Sequence, residues 1–203
     1  LIIDVRNNGG GNTEAVEELI SYLYNEDFTF YQDVYQLHKK WDKSIIPAVS
    51  SFPKSKSNWA LKKGSDGFYR AAAGVDGLKS RKPKKQVYSG QLYVLIYGSS
   101  LSAAAEFASF IRQYRPAVFI GDVAGGNKVQ NASGYSIMIG LPNSKVIAAI
   151  PIILWKMNVN FENDGHGIKP DHYIQNTIAE EISNTDGVLK FTRELIKRKR
   201  ASE

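Results

Sequence analysis

Two stretches of this 203-residue chain carry the same signature: an apolar run, a turn of small residues, then apolar residues at helical spacing. The first, "LIIDVRNNGGGNTEAVEELISYLY", starts at Leu1, and the second, "LYVLIYGSSLSAAAEFASFIRQY", starts at Leu92. Runs apolar on both faces are what a sheet covered by helices requires of its strands. In the first stretch Leu1–Val5 is the strand, broken only by Asp4. "RNNGGGN" is the turn, because glycine enters backbone regions other residues resist. Val16, Leu19, Ile20 and Leu23 then recur at helical spacing, with Asn12 or Thr13 placed to cap the start. In the second, Phe107, Phe110 and Ile111 face the core. A third apolar run, "AVFIGD", follows at Ala117. Strands alternating with helices predict an α/β domain of mostly buried strands with packed helices.

The remainder is less regular. From about residue 25 to residue 90 the pattern weakens, and Trp41, Phe52, Trp59, Phe68 and Tyr69 are scattered among Lys, Ser and Pro. We read hairpins or loops that cover something, ending in an exposed linker at "RKPKK". Further on, "VAGGNKVQNASG" is a second Gly-rich connection. "YSIMIGL" and "KVIAAIPIIL" are strands joined by "PNSK". "ENDGHGIKPDHYI" is irregular. "TDGVLKFTRELIKRK" is an amphipathic helix with Val188, Phe191, Leu195 and Ile196 inward. The whole reads as one domain, 1–203, with a covering or inserted segment at about 25–90.

Composition narrows the chemistry. There is no cysteine, which removes disulfides, thiolate zinc sites and cysteine nucleophiles. No apolar run is long enough to span a bilayer, so no stable membrane insertion of this chain is expected. The net charge of +6 owes much to "KSRKPKK" and "KRKR". Neither cluster has interleaved aromatics or a nucleic-acid motif, so both read as solvated and no nucleic-acid partner is expected. Leu1 opens directly into a strand pattern, from which we expect a piece of a longer protein whose upstream part, with any export signal, is missing.

The three serines before the second helix pose the chemical question. A serine where a strand turns sharply into a helix can attack a carbonyl while helix-start amides hold the resulting oxyanion. Ser102, followed by Ala103 and Ala104, leaves room for a substrate backbone. It is the candidate nucleophile, and Ser99 and Ser100 belong to the turn and cap. Against this stands the ordinary role of serine as a helix N-cap. The first turn, also rich in amides at a strand end, supplies the second half of an acyl-transfer site.

With those motifs in place, the chain resembles the C-terminal-processing (tail-specific) serine peptidases. "LIIDVRNNGGG" is similar to the strand and turn that open their catalytic core, and "YVLIYGSSLSAAAEFASFIRQYRPAVFIGDVAGG" to their nucleophile segment. "GYSIMIGLPNSKV" and "ENDGHGIKPDHYI" are similar to their later strands and closing Gly-Ile-x-Pro-Asp motif, here Gly167, Ile168, Pro170 and Asp171. The resemblance implies a crotonase/ClpP-like α/β core, a peptide or protein substrate, and no cofactor or metal. It implies Ser102 as nucleophile and the amides of Ala103 and Gly10 as oxyanion donors, with Gly9 as the alternative to Gly10. It leaves a homo-oligomer open, and it implies an exported bacterial parent: periplasmic, at the cell surface or lipoprotein-anchored.

One departure matters. The tail-specific branch keeps a lysine base in a turn that here reads "VAGGN", with Gly126 at the lysine position and Lys128 two residues on. The pattern is closer to the tricorn-like branch, whose histidine base precedes the first strand. Its glutamate falls on Glu162. Of the three histidines, His38 reads as surface, and His166 and His172 as structural neighbours of the closing motif. Asp4 and Arg6 share a strand face and read as an ion pair. "DVAGGNK" lacks the ending of a phosphate loop. Two other activities remain open from the same fold: a crotonase-like enzyme on CoA thioesters, and a non-catalytic carrier of apolar ligands.

Overall fold

The computed structural model describes residues 1–39, 49–51, 60–73 and 75–201. Trp41, Phe52 and Trp59 lie outside the described residues. The described residues form two compact units, Leu1–Glu26 with Pro83–Lys128 and Asn160–Glu203, and Asp27–Lys82 with Val129–Val159. The second unit holds most of the segment set apart in the sequence. It also holds residues 129–159, whose strands the sequence reading counts with the core.

The first unit is built on a four-stranded sheet in the order Ile2–Asp4, Leu92–Ile96, Ala117–Gly121, His172–Tyr173. All its pairings are parallel, with Ile3 beside Val94, Val94 beside Phe119, and His172 beside Ile120. Every residue of Leu92–Ile96 is buried, as a strand covered on both faces must be. Alternation sends Tyr93 and Leu95 to one face. There, with Ile120, they meet Val188 of the Gly187–Ala201 helix, flanked by Phe191, Leu195 and Ile196. These are the four positions the sequence turns inward.

The Ala103–Tyr114 helix buries Phe107, Phe110 and Ile111. Each such side chain contributes roughly 1.5–3 kcal/mol by leaving water. The Thr13–Ser21 helix is capped by Asn12, whose side chain accepts from Glu14 N–H at 2.9 Å. Its buried face differs from the expected one: Glu17 is 4% exposed and Leu19 is 39% exposed. Ile20 is fully buried and sets the rotation. Residues 17, 20 and 21 lie on one face at 3.6 residues per turn, whereas Leu19 lies about 150° from the centre of that face.

Among the described residues, every strand pairing of the second unit is antiparallel. Its five-stranded sheet runs Gln130–Asn131, Leu154–Met157, Tyr31–Gln36, Tyr69–Ala73, Ala60–Lys63. A three-stranded sheet runs Ile147–Pro151, Ser136–Gly140, Val49–Ser51. The strand expected over "KVIAAIPIIL" is therefore shorter, and only the last residue of that run, Leu154, belongs to a second strand. The first ends at Pro151, beyond which one more bond, Ile152 N–H to the Tyr135 carbonyl at 3.0 Å, continues the pairing on the side of Ser136–Gly140. The second pairs in the other sheet. Ile147–Pro151 is an edge strand and largely exposed, with Ile147 at 63%. The apolar run alone suggested burial on both faces.

Candidate active site

Both strand-to-helix turns lie in the first unit, at the same end of neighbouring parallel strands. The serines of the second turn divide their work. Ser100 is fully buried. Its hydroxyl donates to the Val5 carbonyl at 2.7 Å and accepts from Tyr97 N–H at 3.0 Å. Ser99 donates to the Arg6 carbonyl and lies 3.4 Å from Asn7 Oδ1. Both serines fasten the second turn to the first strand and its turn. A further backbone bond, Leu101 N–H to the Asn8 carbonyl at 3.0 Å, completes the seam.

Ser102 is different. It stands at the N-cap position of the Ala103–Tyr114 helix, yet its side chain makes no cap hydrogen bond. Its backbone sits at φ 51°, ψ −127°, a region that costs a non-glycine residue on the order of 1–3 kcal/mol. Both facts oppose the ordinary capping role. A serine kept only to cap would adopt the extended backbone that Asn12 and Thr177 show at their helix starts, and would accept an amide as they do.

Directly behind it, Ala103 is buried, and among the described residues its N–H has no hydrogen-bond acceptor. Such orphan amides are what a helix start offers to an anion. Gly10 comes up against the same point. It takes φ +99°, and a Cβ placed on it would lie 2.5 Å from Ser102 Cβ and 2.9 Å from Ala103 N. Only glycine fits there. Ser102, Ala103 and Gly10 are thus brought together. The Gly10 N–H donates to Asn8 Oδ1 at 2.9 Å, a feature the sequence reading missed. Asn directly before a glycine run is a known turn former that accepts an amide two residues on, and that signal was present in "NNGGG".

The connection after Ala117–Gly121 packs onto the second turn. A Cβ on Gly125 would lie 2.3 Å from the Gly98 carbonyl oxygen. The closing motif is tied to this connection through Ala124 N–H to the Ile168 carbonyl at 2.9 Å and Lys128 N–H to the His166 carbonyl at 3.0 Å. Asn127 donates to Asn163 at 2.6 Å. Lys128 Nζ lies 2.7 Å from Asp164 Oδ2. The Lys128 ammonium, with the His166 N–H, holds the Asp164 carboxyl down to about 2. Lys128 is thereby an ion-pair partner, and Gly126 at the lysine position of the related turn has φ +78°.

Glu162 begins the segment tied to Asn127 and Lys128. It is exposed, and its carboxylate makes no hydrogen bond or ion pair among the described residues. The segment is brought to the connection that touches the Ser102 turn; the Glu162 side chain itself is not bonded into the site. His166 is exposed and held through its backbone. The ring of His172 packs on Phe191 at 5.4 Å.

Asp171 of the closing motif is structural. It accepts from Phe119 N–H at 2.7 Å and from Arg112 Nη1 at 2.9 Å. Burial pushes its carboxyl up, but Arg112 and the Phe119 N–H outweigh this and hold it below the usual range. Asp4 and Arg6 form the expected ion pair at 2.6 Å, and Arg6 also grips Asp186 at 2.6 Å. Asp186 in turn accepts from Leu189 N–H at the start of the last helix. Hydrogen bonds to Asp4 first, then to Asp186, push the Arg6 guanidinium further up. Among the described residues no group of His, Asp or Glu is placed to hold a metal ion.

Residues 1–174 match the model of peptidase family S41. The chain belongs to peptidase family S41. No curated protein matches it. Among solved structures it is similar to mature CPAF complexed with lactacystin, at 18% identity and a TM-score of 0.56, over 96% of this chain and 42% of that one. It is also similar to a Parabacteroides merdae protein described as a peptidase, at 20% identity and a TM-score of 0.55, over 96% of this chain and 51% of that one. These likenesses show a shared fold. The S41 chain described here spans about half the length, or less, of those relatives. Its match to the family model ends at Ile174, the last residue of the segment that carries the closing motif.

Proposed function

We propose that this chain is the catalytic core of a serine-type peptidase that cleaves peptide or protein substrates through an acyl-enzyme at Ser102. The observation that carries the reading is the backbone of Ser102: strained, at a helix start, and with a side chain that does not cap. Membership of a peptidase family supports the substrate class. Ser102 Oγ attacks the scissile carbonyl carbon and loses its proton to a general base. The carbonyl oxygen takes up the electron pair as an oxyanion, to which the N–H groups of Ala103 and Gly10 donate. The intermediate collapses, the amine leaves with the proton from the base, and water repeats the sequence to release the acid. Each oxyanion donor contributes roughly 10²–10³ in rate in comparable sites.

The base we assign to a histidine outside this chain, upstream of the first strand, as in the tricorn-like branch the motifs resemble. Glu162 then helps align the site from the segment anchored by Asn127 and Lys128. No metal or cofactor enters this scheme, and no nucleic acid. The parent is expected to be an exported bacterial protein, with the covering segment at about 25–90 shaping access to substrate. The test is hydrolysis of an unstructured protein substrate, compared at equal folded concentration for the full-length protein and this 203-residue chain. The full-length protein should be much the faster, and an upstream His→Ala change should bring it down towards the shorter chain. Equal rates for the two would place the base within this chain and make His166 or His172 the candidates.

A further inference from the structure

The Gly10 N–H is the one oxyanion donor already engaged: it donates to Asn8 Oδ1 at 2.9 Å. Asn8 is itself held on both sides, its N–H donating to the Val5 carbonyl at 3.2 Å and its carbonyl accepting from Leu101 at 3.0 Å. The Asn8 side chain is exposed. Gly10 meanwhile lies against Ser102 and Ala103 N as closely as any residue can. The amide observed on Asn8 thus belongs to a residue that borders Ser102 and Ala103 N, where the oxyanion of the proposed reaction would form, so the Asn8 carboxamide and that oxygen would compete for one N–H.

We infer that Asn8 is a positioning residue of the oxyanion site: its carboxamide holds the Gly10 N–H in the substrate-free enzyme and yields it as negative charge develops on the substrate oxygen. The inference rests on Ser102 being the nucleophile. Its physical basis is a difference in acceptor strength. A neutral substrate carbonyl and the neutral carboxamide compete about evenly for one N–H. An oxyanion makes a charge-assisted bond, roughly twice as strong, and wins. The Gly10 donor is thus delivered to the transition state more than to the bound substrate, which is the condition for raising kcat and not merely lowering KM. A carboxamide suits this role and a carboxylate does not, since a carboxylate would hold the N–H as firmly as the oxyanion attracts it.

The experiment uses the full-length protein and a fluorophosphonate, whose phosphonyl oxygen takes the oxyanion's place when Ser102 is labelled. Asn8→Asp should be labelled about tenfold more slowly than wild type at neutral pH, the size of one hydrogen bond strengthened by charge. That deficit, expressed as a ratio to wild type, should close as pH falls through the carboxylate range near 4, where the introduced carboxyl is neutralised. A purely structural role for Asn8 gives no such recovery. In wild type, the Gly10 amide resonance should also move on phosphonylation, as its N–H changes acceptor, a readout that needs no variant to fold. Labelling of Asn8→Asp at the wild-type rate, a deficit that ignores pH, or an unmoved Gly10 resonance overturns the inference while leaving Ser102 as nucleophile. Wild type that takes no label at Ser102 overturns the nucleophile assignment, and this inference with it.

Discussion

The two strand-to-helix turns of the first unit solve one geometric problem in opposite ways. Each must leave a buried parallel strand and enter a helix within a few residues. The first does so with glycines, Gly10 at φ +99° and Gly11 at φ +149°, and then with Asn12 as a capping side chain. Positive φ goes to residues without a Cβ, and the orphan amide is satisfied. The second puts Ser102 at φ 51° and makes no side-chain cap. Two stabilising options used by the first turn are forgone at the second, on a helix whose other features are favourable. Residues held against local preference by their surroundings concentrate where chemistry is done. The first turn is built for stability and close approach, the second around one side chain.

The largest effect should come from exchanging the solutions. Ser102→Gly puts the residue suited to positive φ where the strain lies, and should abolish hydrolysis completely. It should also melt at a higher temperature than Ser102→Ala, by about 1 kcal/mol in unfolding free energy, because only glycine relieves the backbone. Equal melting of the two variants would mean that the turn stores no strain. Next, Gly10→Ala pushes a methyl into Ser102 and the Ala103 amide. It should lower both stability, by about 1–3 kcal/mol, and activity, by at least the roughly 10²-fold of one lost oxyanion donor. Activity near wild type in a folded Gly10→Ala protein would remove Gly10 from the site.

Smaller effects should separate the fastening serines. Ser100→Ala strands the Tyr97 N–H in the interior, leaves the Val5 carbonyl with the Asn8 N–H alone, and should cost about 1–3 kcal/mol, read by denaturant unfolding. Ser99→Ala, at an exposed bond, should cost less and keep measurable activity. Smallest of all is Lys128→Ala. Lys128 ties the connection to the closing segment through Asp164, so its loss should reduce hydrolysis far less than the roughly 10²–10⁴-fold of a missing general base. The tether has its own pH signature. The Asp164 carboxyl is held at about 2 in the fold, below the ordinary aspartate value of about 3.9. Its contribution is complete above that ordinary value and disappears as pH falls through about 2. The stability gap between wild type and Lys128→Ala should therefore close between about pH 4 and pH 2 in acid unfolding.

Much of the first unit was legible because its residues obey local rules. Strands buried on both faces are apolar throughout, and Phe107, Phe110, Ile111 and Val188 mark their helix faces by spacing alone. The site was legible to the extent that glycine and serine must stand at particular backbone positions. What escaped the sequence depends on context that spacing does not carry. Glu17 is inward and Leu19 outward because Ile20 fixes the rotation of a short helix. "KVIAAIPIIL" gives only its last residue, Leu154, to a second sheet, and the apolar strand before it proves to be an edge. The hydrogen bond from Gly10 to Asn8, and the pairing of Lys128 with Asp164, are side-chain choices made only once the turns have met.

The central claim is that Ser102, alone among the three serines of its turn, is the nucleophile. It is tested most directly by treating the full-length protein with a fluorophosphonate and locating the adduct by mass spectrometry. The account predicts a single adduct on Ser102, absent from Ser102→Ala and retained in Ser99→Ala. An adduct on Ser99 or Ser100, or undiminished labelling of Ser102→Ala, would contradict it.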